Sequence, residues 1–118
     1  DDPYNGFSHQ HASDELENGN ILLLDNGLDH TQKLSRVLEY KVDEVAKTAT
    51  LVFSKEFPTY QAYVAGNAYR QDNGNTIAAF GSQGYVEEFD DQGWPVLSYR
   101  QGGLIYQAIK SKLPWKNE

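Results

Sequence analysis

The chain contains neither cysteine nor methionine among its 118 residues. The lack of cysteine excludes disulfides and thiolate metal sites, although it leaves the cellular compartment open. No apolar run is longer than residues 21–24, whereas a membrane-spanning helix needs roughly 20 apolar residues. The start at Asp1 shows no basic-then-apolar signal segment. We therefore expect no membrane span, and we expect the chain to be a processed or excised piece whose export signal, if present, lies upstream.

Basic residues are scarce, with 10 Lys and Arg against 17 Asp and Glu, which gives a net charge of −7. This balance opposes binding to nucleic acid or to an anionic membrane, because both present negative surfaces. No nucleic-acid partner is therefore expected. The length fits one small domain with a modest core, or a part of a larger one.

One pattern occurs twice along the chain. Both "LENGNILLLDNG" (residues 16–27) and "RQDNGNTIAAFG" (residues 70–81) place Asn-Gly-Asn before an apolar run that ends at Gly. Asn-Gly readily adopts the positive φ angles of tight turns, so each stretch is predicted to be a turn followed by a strand. The alternating segments "SRVLEYKVDE" and "GYVEEFDDQG" predict a second strand in each copy, and "TATLVFSKEF" and "WPVLSYRQ" predict a third. This matching pairs Phe53 with Tyr99.

Repeats of about 45 to 55 residues made of short antiparallel strands are typical of β-propeller blades. We therefore predict an all-β chain forming one β region over residues 1–118, with blade-like repeats at 7–58 and 66–101. The first copy has an insertion at "LDHTQKL". Residues 102–118 are predicted to hold a returning strand, at 104–109, in preference to a short helix, and a tail. A stand-alone β-sandwich or meander of six to eight strands is the alternative.

Two blades alone leave two uncovered faces and an unpaired edge. We therefore expect the chain to be a fragment of a larger propeller or part of a ring built from several chains. Its expected partners are the remaining propeller blades or other copies of the chain.

The stretch "FSHQHA" (residues 7–12) precedes the first pattern. Gln10-His11-Ala12, "NGNILLLDNG" and Ser-Arg-Val followed by Tyr-Lys-Val-Asp, in this order and spacing, resemble the C-terminal blades of the arylsulfotransferase (aryl-sulfate sulfotransferase) family. The resemblance extends from Phe7 to about Trp115. It implies an exported, extracellular or periplasmic propeller that moves a sulfuryl group from a phenolic donor to a phenolic acceptor. Neither a nucleotide sulfate donor nor a cofactor is implied.

The resemblance also implies a role for one histidine. In the family, the histidine of the Gln-His motif accepts the sulfuryl group covalently, and the matching position is His11. Nothing is carried over to His9, and Arg36 matches a position that we interpret as structural. The other active-site groups of the family come from earlier blades and match no segment here. The chain therefore has a nucleophile but no complete anion cradle, and by itself it is predicted to be inactive.

These histidines also have interpretations other than a role in sulfuryl transfer. His11 alone would be interpreted as a polar residue at the start of a strand, bonded to backbone. His9 and His11 would project from the same face of a strand and, with His30 or an aspartate, form a metal site, but we predict no metal. The stretch "DNGLDH" (residues 25–30) is interpreted as a turn with a solvated insertion rather than a calcium loop.

Aromatic and acidic residues are also possible site residues. Tyr60, Tyr63 and Tyr69 lie in or beside the predicted linker and are weak candidates for stacking on a phenol. Acidic residues near strand ends and turns are expected to form a solvated face; they are Glu39, Asp43, Glu87, Glu88, Asp90 and Asp91. Besides the transferase, two other functions are retained: a non-catalytic propeller module that binds protein or glycan, and a self-associating scaffold.

Overall fold

The computed structural model describes residues 2–111. They form two four-stranded antiparallel sheets, each a simple meander. The first sheet contains β1 (His11–Glu15), β2 (Ile21–Asp25), β3 (Ser35–Asp43) and β4 (Thr48–Phe57), and the second contains β5 (Asn67–Arg70), β6 (Thr76–Phe80), β7 (Tyr85–Phe89) and β8 (Pro95–Arg100). Within residues 2–111 the only helical element is one 3-10 turn, Gly81–Gln83. The all-β prediction is confirmed, and the sheets are consistent with two propeller blades.

Both Asn-Gly sequences form the predicted turns. Gly19 and Gly74 have φ angles of 79° and 88°, which glycine adopts without steric cost. In each turn the preceding asparagine accepts a hydrogen bond from the backbone two residues on, Asn18 from Asn20 and Asn73 from Asn75, at 3.0 Å. The side chain and the glycine together define each hairpin.

Each sheet has four strands, whereas the sequence predicted three. The additional strands, β1 and β5, precede the Asn-Gly turns. β1 reads "HASDE" and is largely exposed, so it lacks the apolar alternation that marks a half-buried strand. β5 has only four residues. The overlooked signal was the turn itself, because a hairpin turn requires a strand on both sides.

The register also corrects the pairing of Phe53 with Tyr99. Phe53 lies opposite Glu39, whereas Tyr99 lies opposite Val86. The residue opposite Glu88, and therefore in the place that corresponds to Phe53, is Leu97. Sequence similarity alone misaligned the last strand by two residues, a shift that keeps the side chain on the same face.

The core lies between the two sheets. The first sheet contributes Leu22, Leu24, Val37 and Phe57, and the second contributes Ala68, Ala78, Phe80, Tyr85 and Phe89. The rings of Phe57 and Phe80 meet edge-on with centroids 4.5 Å apart. Full burial of such a side chain stabilises the fold by about 1.5–3 kcal/mol. This core holds the two sheets together as one unit.

The outer faces of the two sheets are less well covered. On the first sheet, Leu23, Leu38 and Tyr40 form a small second cluster with Leu51. On the second sheet, Leu97 and Tyr99 are more than half exposed. A pair of blades that is flanked by two further blades is expected to have apolar residues on both of its outer faces.

The strand predicted at residues 104–109 is absent from the structure. That segment crosses the second sheet through isolated contacts, with the Ile105 amide donating to the Gly81 carbonyl and the Gly66 amide donating to the Tyr106 carbonyl. Apolar composition favoured a strand, but no neighbouring strand offers it a continuous ladder. The rest of the predicted tail, residues 112–118, lies outside the described residues.

The expectation of a solvated acidic face is wrong for three residues. Glu39, Glu87 and Glu88 are buried. Glu39 accepts hydrogen bonds from Asn20 and, across the sheets, from Arg70 at 2.8 Å. Burial raises the pKa of Glu39, but these hydrogen bonds outweigh it and lower the pKa below its ordinary value. Glu87 and Glu88 are consecutive on β7 and so point to opposite faces of their sheet, yet both are covered.

Candidate functional site

His11 is the first residue of β1 and lies opposite Leu24 of β2. The β1–β2 register shifts between His11 and Asp14. The resulting bulge, with Ala12 at a φ of 48°, turns the strand at the imidazole; bulges of this kind often redirect a side chain beside a functional site. The residue as a whole is half-buried.

Both ring nitrogens of His11 have partners. Nδ1 lies 2.9 Å from Oδ1 of Asn26, and Nε2 accepts a hydrogen bond from the backbone amide of Ala65 at 3.3 Å. Asn26 is fully buried, and its Nδ2 donates to the carbonyls of Ala62 and Ala65 at 2.7 and 3.2 Å. The amide oxygen therefore faces the imidazole and can only accept. This network assigns the proton to Nδ1 and a lone pair to Nε2.

The loop that carries Asn26 is fixed by a buried ion pair. Arg36 and Asp25 are both fully buried, and the Arg36 guanidinium donates to Asp25 Oδ2 at 2.7 and 3.0 Å. The other oxygen of Asp25 accepts hydrogen bonds from the backbone amides of Ser8 and Gly27. These contacts hold Asp25 and Gly27, the residues on either side of Asn26. Because Arg36 is fully buried in this pair, it is a structural residue that substrate cannot reach.

Asp2 completes this network from the N-terminal side. It accepts hydrogen bonds from Arg36 at 2.9 Å and from the hydroxyl of Tyr40 at 2.7 Å. Burial raises the pKa of Asp2, but the bonds from Arg36 and Tyr40 outweigh burial and lower it to about 2. Burial and the anionic Asp2 raise the pKa of Tyr40. Asp2 therefore remains ionised in the folded chain across the physiological range.

The expectation that "DNGLDH" would be a turn with a solvated insertion holds for Asp29, which is exposed, but is wrong for the buried residues of this stretch. Asp25 and Asn26 are fully buried, and His30 is 8% exposed and stacks on the ring of Tyr4 at 4.9 Å. Asn26 is thus a site residue that sequence reasoning missed. Its signal was present, because Asn-Gly after an apolar strand was recognised as a turn, but a turn gave no reason to expect burial.

Backbone strain is concentrated around His11. In the described part of the chain, five residues other than glycine have a positive φ. Three of them are neighbours or partners of His11, namely His9, Ala12 and Ala65, with φ angles of 56°, 48° and 57°. Such conformations cost about 1–3 kcal/mol each and are often found at functional sites.

The two histidines of "FSHQHA" have separate environments. His9 precedes β1, so the strand geometry that would place it beside His11 does not apply. Its Nε2 lies 3.1 Å from Oδ2 of Asp29, and both side chains are largely exposed. Among residues 2–111, no three His, Cys, Asp or Glu side chains are grouped as a metal ion would require.

The three candidate tyrosines do not converge. Tyr60 stacks on Tyr85 with ring centroids 4.0 Å apart and belongs to the packing between the sheets. Tyr63 is 59% exposed in the linker, two residues before Ala65. Tyr69 lies on β5, four residues beyond Ala65, or about 13 Å along an extended chain. Of the three, Tyr63 alone is both exposed and close in sequence to the partner of His11.

A large groove lies elsewhere, on the outer face of the first sheet. It has a volume of about 920 Å³ and is lined mainly by apolar side chains, including Phe7, Ile21, Leu23, Tyr40, Val42 and Leu51. His11 does not line it. We regard this groove as uncovered packing surface rather than as the site of chemistry, because it coincides with the outer cluster of the sheet.

The two blade-like sheets are consistent with a propeller-type protein, and His11, whose Nε2 lone pair accepts a hydrogen bond from the Ala65 amide, is a candidate nucleophile on the first strand of a blade. A family model described as arylsulfotransferase (ASST) matches residues 2–95, most of the chain, so the chain belongs to the arylsulfotransferase family. No curated protein matches it. Within residues 2–111, no helix is long and apolar enough to cross a membrane.

Proposed function

We propose that this chain supplies the sulfuryl-accepting histidine of an aryl-sulfate sulfotransferase, and that His11 Nε2 is the nucleophile. One observation carries the proposal: Asn26 leaves the lone pair on Nε2 of a half-buried residue, where it is held only by a 3.3 Å hydrogen bond from the Ala65 amide. A neutral imidazole nitrogen is the form that can attack an electrophile. The match to the arylsulfotransferase family supports an aryl sulfate as the electrophile.

The proposed reaction has two balanced halves. Nε2 attacks the sulfur of the donor, the N–S bond forms, and the S–O bond to the aryl oxygen breaks, so that phenolate leaves with the bonding pair. The oxygen of the acceptor phenol then attacks the same sulfur, and the N–S bond breaks with its electron pair returning to Nε2. The proton of the acceptor neutralises the phenolate released first. No electrons are gained or lost, so this transfer needs no redox cofactor.

The remaining site groups are proposed to come from outside this chain. Three sulfuryl oxygens need cationic or hydrogen-bond donors, yet Arg36, the basic residue closest in the network, is fully buried and paired with Asp25 and Asp2. We assign the cradle to further blades that pack on the two outer faces, either from the same polypeptide or from other copies. The isolated chain is therefore inactive under this proposal.

Two further features belong to the proposal. The two sheets are copies of one blade unit, supported by their common strand order and by the pairs Asn20–Glu39 and Asn75–Glu88, which recur at corresponding ladder positions. The protein works outside the cytoplasm, in the periplasm or beyond the cell, which the family match supports. Phenolic donor and acceptor substrates would be met there.

A non-catalytic module for protein or glycan binding is the second candidate, and Asn67 favours it. Asn67 lies opposite Ala79 of β6, as His11 lies opposite Leu24 of β2, and it exchanges two hydrogen bonds with the backbone of Ala108. A side chain at this position can therefore act purely as a backbone clamp. The substitution His11→Asn tests this directly, since it retains a clamp and removes the nucleophile.

The test uses the full natural polypeptide that contains this chain, with 4-nitrophenyl sulfate as donor and a phenol as acceptor. We expect His11→Asn and His11→Ala to lower the rate of transfer by at least about a thousandfold. His9→Asn, at the exposed histidine, is the matched control and should transfer at the wild-type rate. Undiminished transfer by His11→Asn would show that His11 serves only to hold the backbone.

A further inference from the structure

We propose that Asn26 is the positioning residue of His11, keeping a proton on Nδ1 through both halves of the transfer. The proposal rests on the proposed function, because it concerns the same imidazole. It adds a defined task for a buried side chain that the sequence did not single out.

Asn26 is held in one orientation. If its amide were reversed, Oδ1 would face the carbonyl oxygens of Ala62 and Ala65, which now accept from Nδ2 at 2.7 and 3.2 Å. Three oxygens would then be buried together without a donor, at a cost of about 1–3 kcal/mol for each unsatisfied group. The hydroxyl of Ser35 contacts the same region, donating to the Asn26 carbonyl and accepting from the Ala62 amide. The acceptor facing His11 is therefore fixed before substrate arrives.

The proton on Nδ1 matters most in the second half of the reaction. When the sulfuryl group is on Nε2 and the proton remains on Nδ1, the N–S bond breaks to release neutral imidazole. If Nδ1 had lost its proton, the leaving group would be imidazolate, a far stronger base and a poorer leaving group. The amide oxygen of Asn26 accepts the hydrogen bond, and a neutral amide has little tendency to remove the proton.

A carboxylate in the same place would act differently. It would favour the doubly protonated imidazolium in the resting state, which has no lone pair for attack. It would also place a negative charge near an anionic donor. No carboxylate takes that role in the described part of the chain. The acidic and basic side chains on the segments around His11 bond to groups other than its imidazole or to none. They are His9, Asp14, Glu15, Asp25, Asp29, His30, Lys33 and Arg70.

The test compares Asn26→Asp with Asn67→Asp in the full natural polypeptide. Both changes replace a buried asparagine that donates to a backbone carbonyl, but only Asn26 contacts His11. Nitrogen-15 NMR of labelled histidine reports which ring nitrogen carries the proton, independently of activity. We expect Nδ1 to carry it in the wild type and in Asn67→Asp.

In Asn26→Asp we expect the imidazolium form to persist to higher pH. The acid limb of the pH–rate profile should move up by about 1–2 pH units, because an adjacent carboxylate stabilises the cation by that much. Transfer near neutral pH should fall by about tenfold or more and recover partly in alkaline buffer. A variant that was merely less stable would lose rate equally across the pH range.

One result would overturn the assignment of Asn26 while leaving the proposed function intact, namely Asn26→Asp with an unchanged pH profile. A wild-type His11 that carries its proton on Nε2, which needs no variant to fold, would overturn both the assignment of Asn26 and the choice of Nε2 as the nucleophile. By contrast, a wild-type His11 with the expected tautomer that never acquires a sulfuryl group overturns the proposed function instead.

Discussion

His11 and Asn67 hold the same ladder position in the two sheets, each at the first paired residue of its sheet's first strand. Each accepts a hydrogen bond from the segment that follows its own sheet, His11 from the amide of Ala65 at 3.3 Å and Asn67 from that of Ala108 at 2.8 Å. Asn67 also donates to the Ala108 carbonyl at 2.9 Å, and these two bonds to one backbone residue show that an amide is sufficient for the clamp. The imidazole of His11 offers chemistry that the clamp alone does not require.

The first prediction concerns stability at these two positions. His11→Asn should lower the free energy of unfolding by about 1 kcal/mol, because an amide can still bond to one of the two partners. Asn67→Ala should cost more, about 2 kcal/mol, because it leaves both backbone groups of Ala108 without their partner. Urea unfolding of both variants measures the difference. A larger loss of stability in His11→Asn than in Asn67→Ala would mean that the side chain of His11 is the more important backbone clamp.

The second prediction concerns pH. The pKa of Asp2 is lowered from 3.8 to about 2 in the folded chain, so ionised Asp2 stabilises the fold by about 2 kcal/mol. Because the folded-state pKa is the lower one, this contribution is complete above about pH 4 and is lost as the pH falls towards 2. Asp2→Asn should therefore be less stable than wild type at neutral pH and nearly equal to it at pH 2. A difference independent of pH would contradict the proposed ion pair.

The third prediction concerns the buried pair of Asp25 and Arg36. Asp25→Asn removes the carboxylate that fills one side of a fully buried guanidinium, and breaking such pairs costs about 3–5 kcal/mol. Asp29→Asn, in the same loop but 77% exposed, is the matched control and should cost less than about 1 kcal/mol. Equal melting temperatures for the two variants would show that the network does not support the Asn26 loop.

The fourth prediction concerns the outer faces. Leu97 is 62% exposed on β8, so Leu97→Lys should cost little stability in the isolated chain but reduce association with further blades or copies. Val45→Lys, at the 95% exposed tip of the β3–β4 hairpin, is the control. Light scattering of the isolated chain at rising concentration measures association. A wild-type chain that stays monomeric at high concentration would contradict the role of other copies as partners.

Much of the fold could be predicted from the sequence, because its strongest local signals agree with one another. The Asn-Gly turns, the alternation in "SRVLEYKVDE" and the apolar run before Asp25 each predicted an element that the structure contains. The strands that were missed, β1 and β5, are short or polar and exist because they pair with β2 and β6. A strand stabilised mainly by its partner leaves little pattern of its own.

The site was predicted only in part, for a related reason. Resemblance selected His11, but the residues that set its chemistry are separated from it in sequence: Asn26 by 15 positions and Ala65 by 54. Asp25, Asn26 and Glu39 looked like solvated polar residues because burial of a polar group depends on partners that only the fold brings together. Exposed polar and buried, hydrogen-bonded polar residues look the same in a single sequence.

The most direct measurement is the mass of the peptide that contains His11, taken from enzyme that has reacted with the donor. The full natural polypeptide is incubated with 4-nitrophenyl sulfate without acceptor, quenched in alkali, digested and analysed by tandem mass spectrometry. The account predicts one added SO₃ group on the peptide containing residues 7–12, located on His11 and lost when a phenol is added. An enzyme that transfers sulfate at full rate with His11 unmodified at every time point would contradict it.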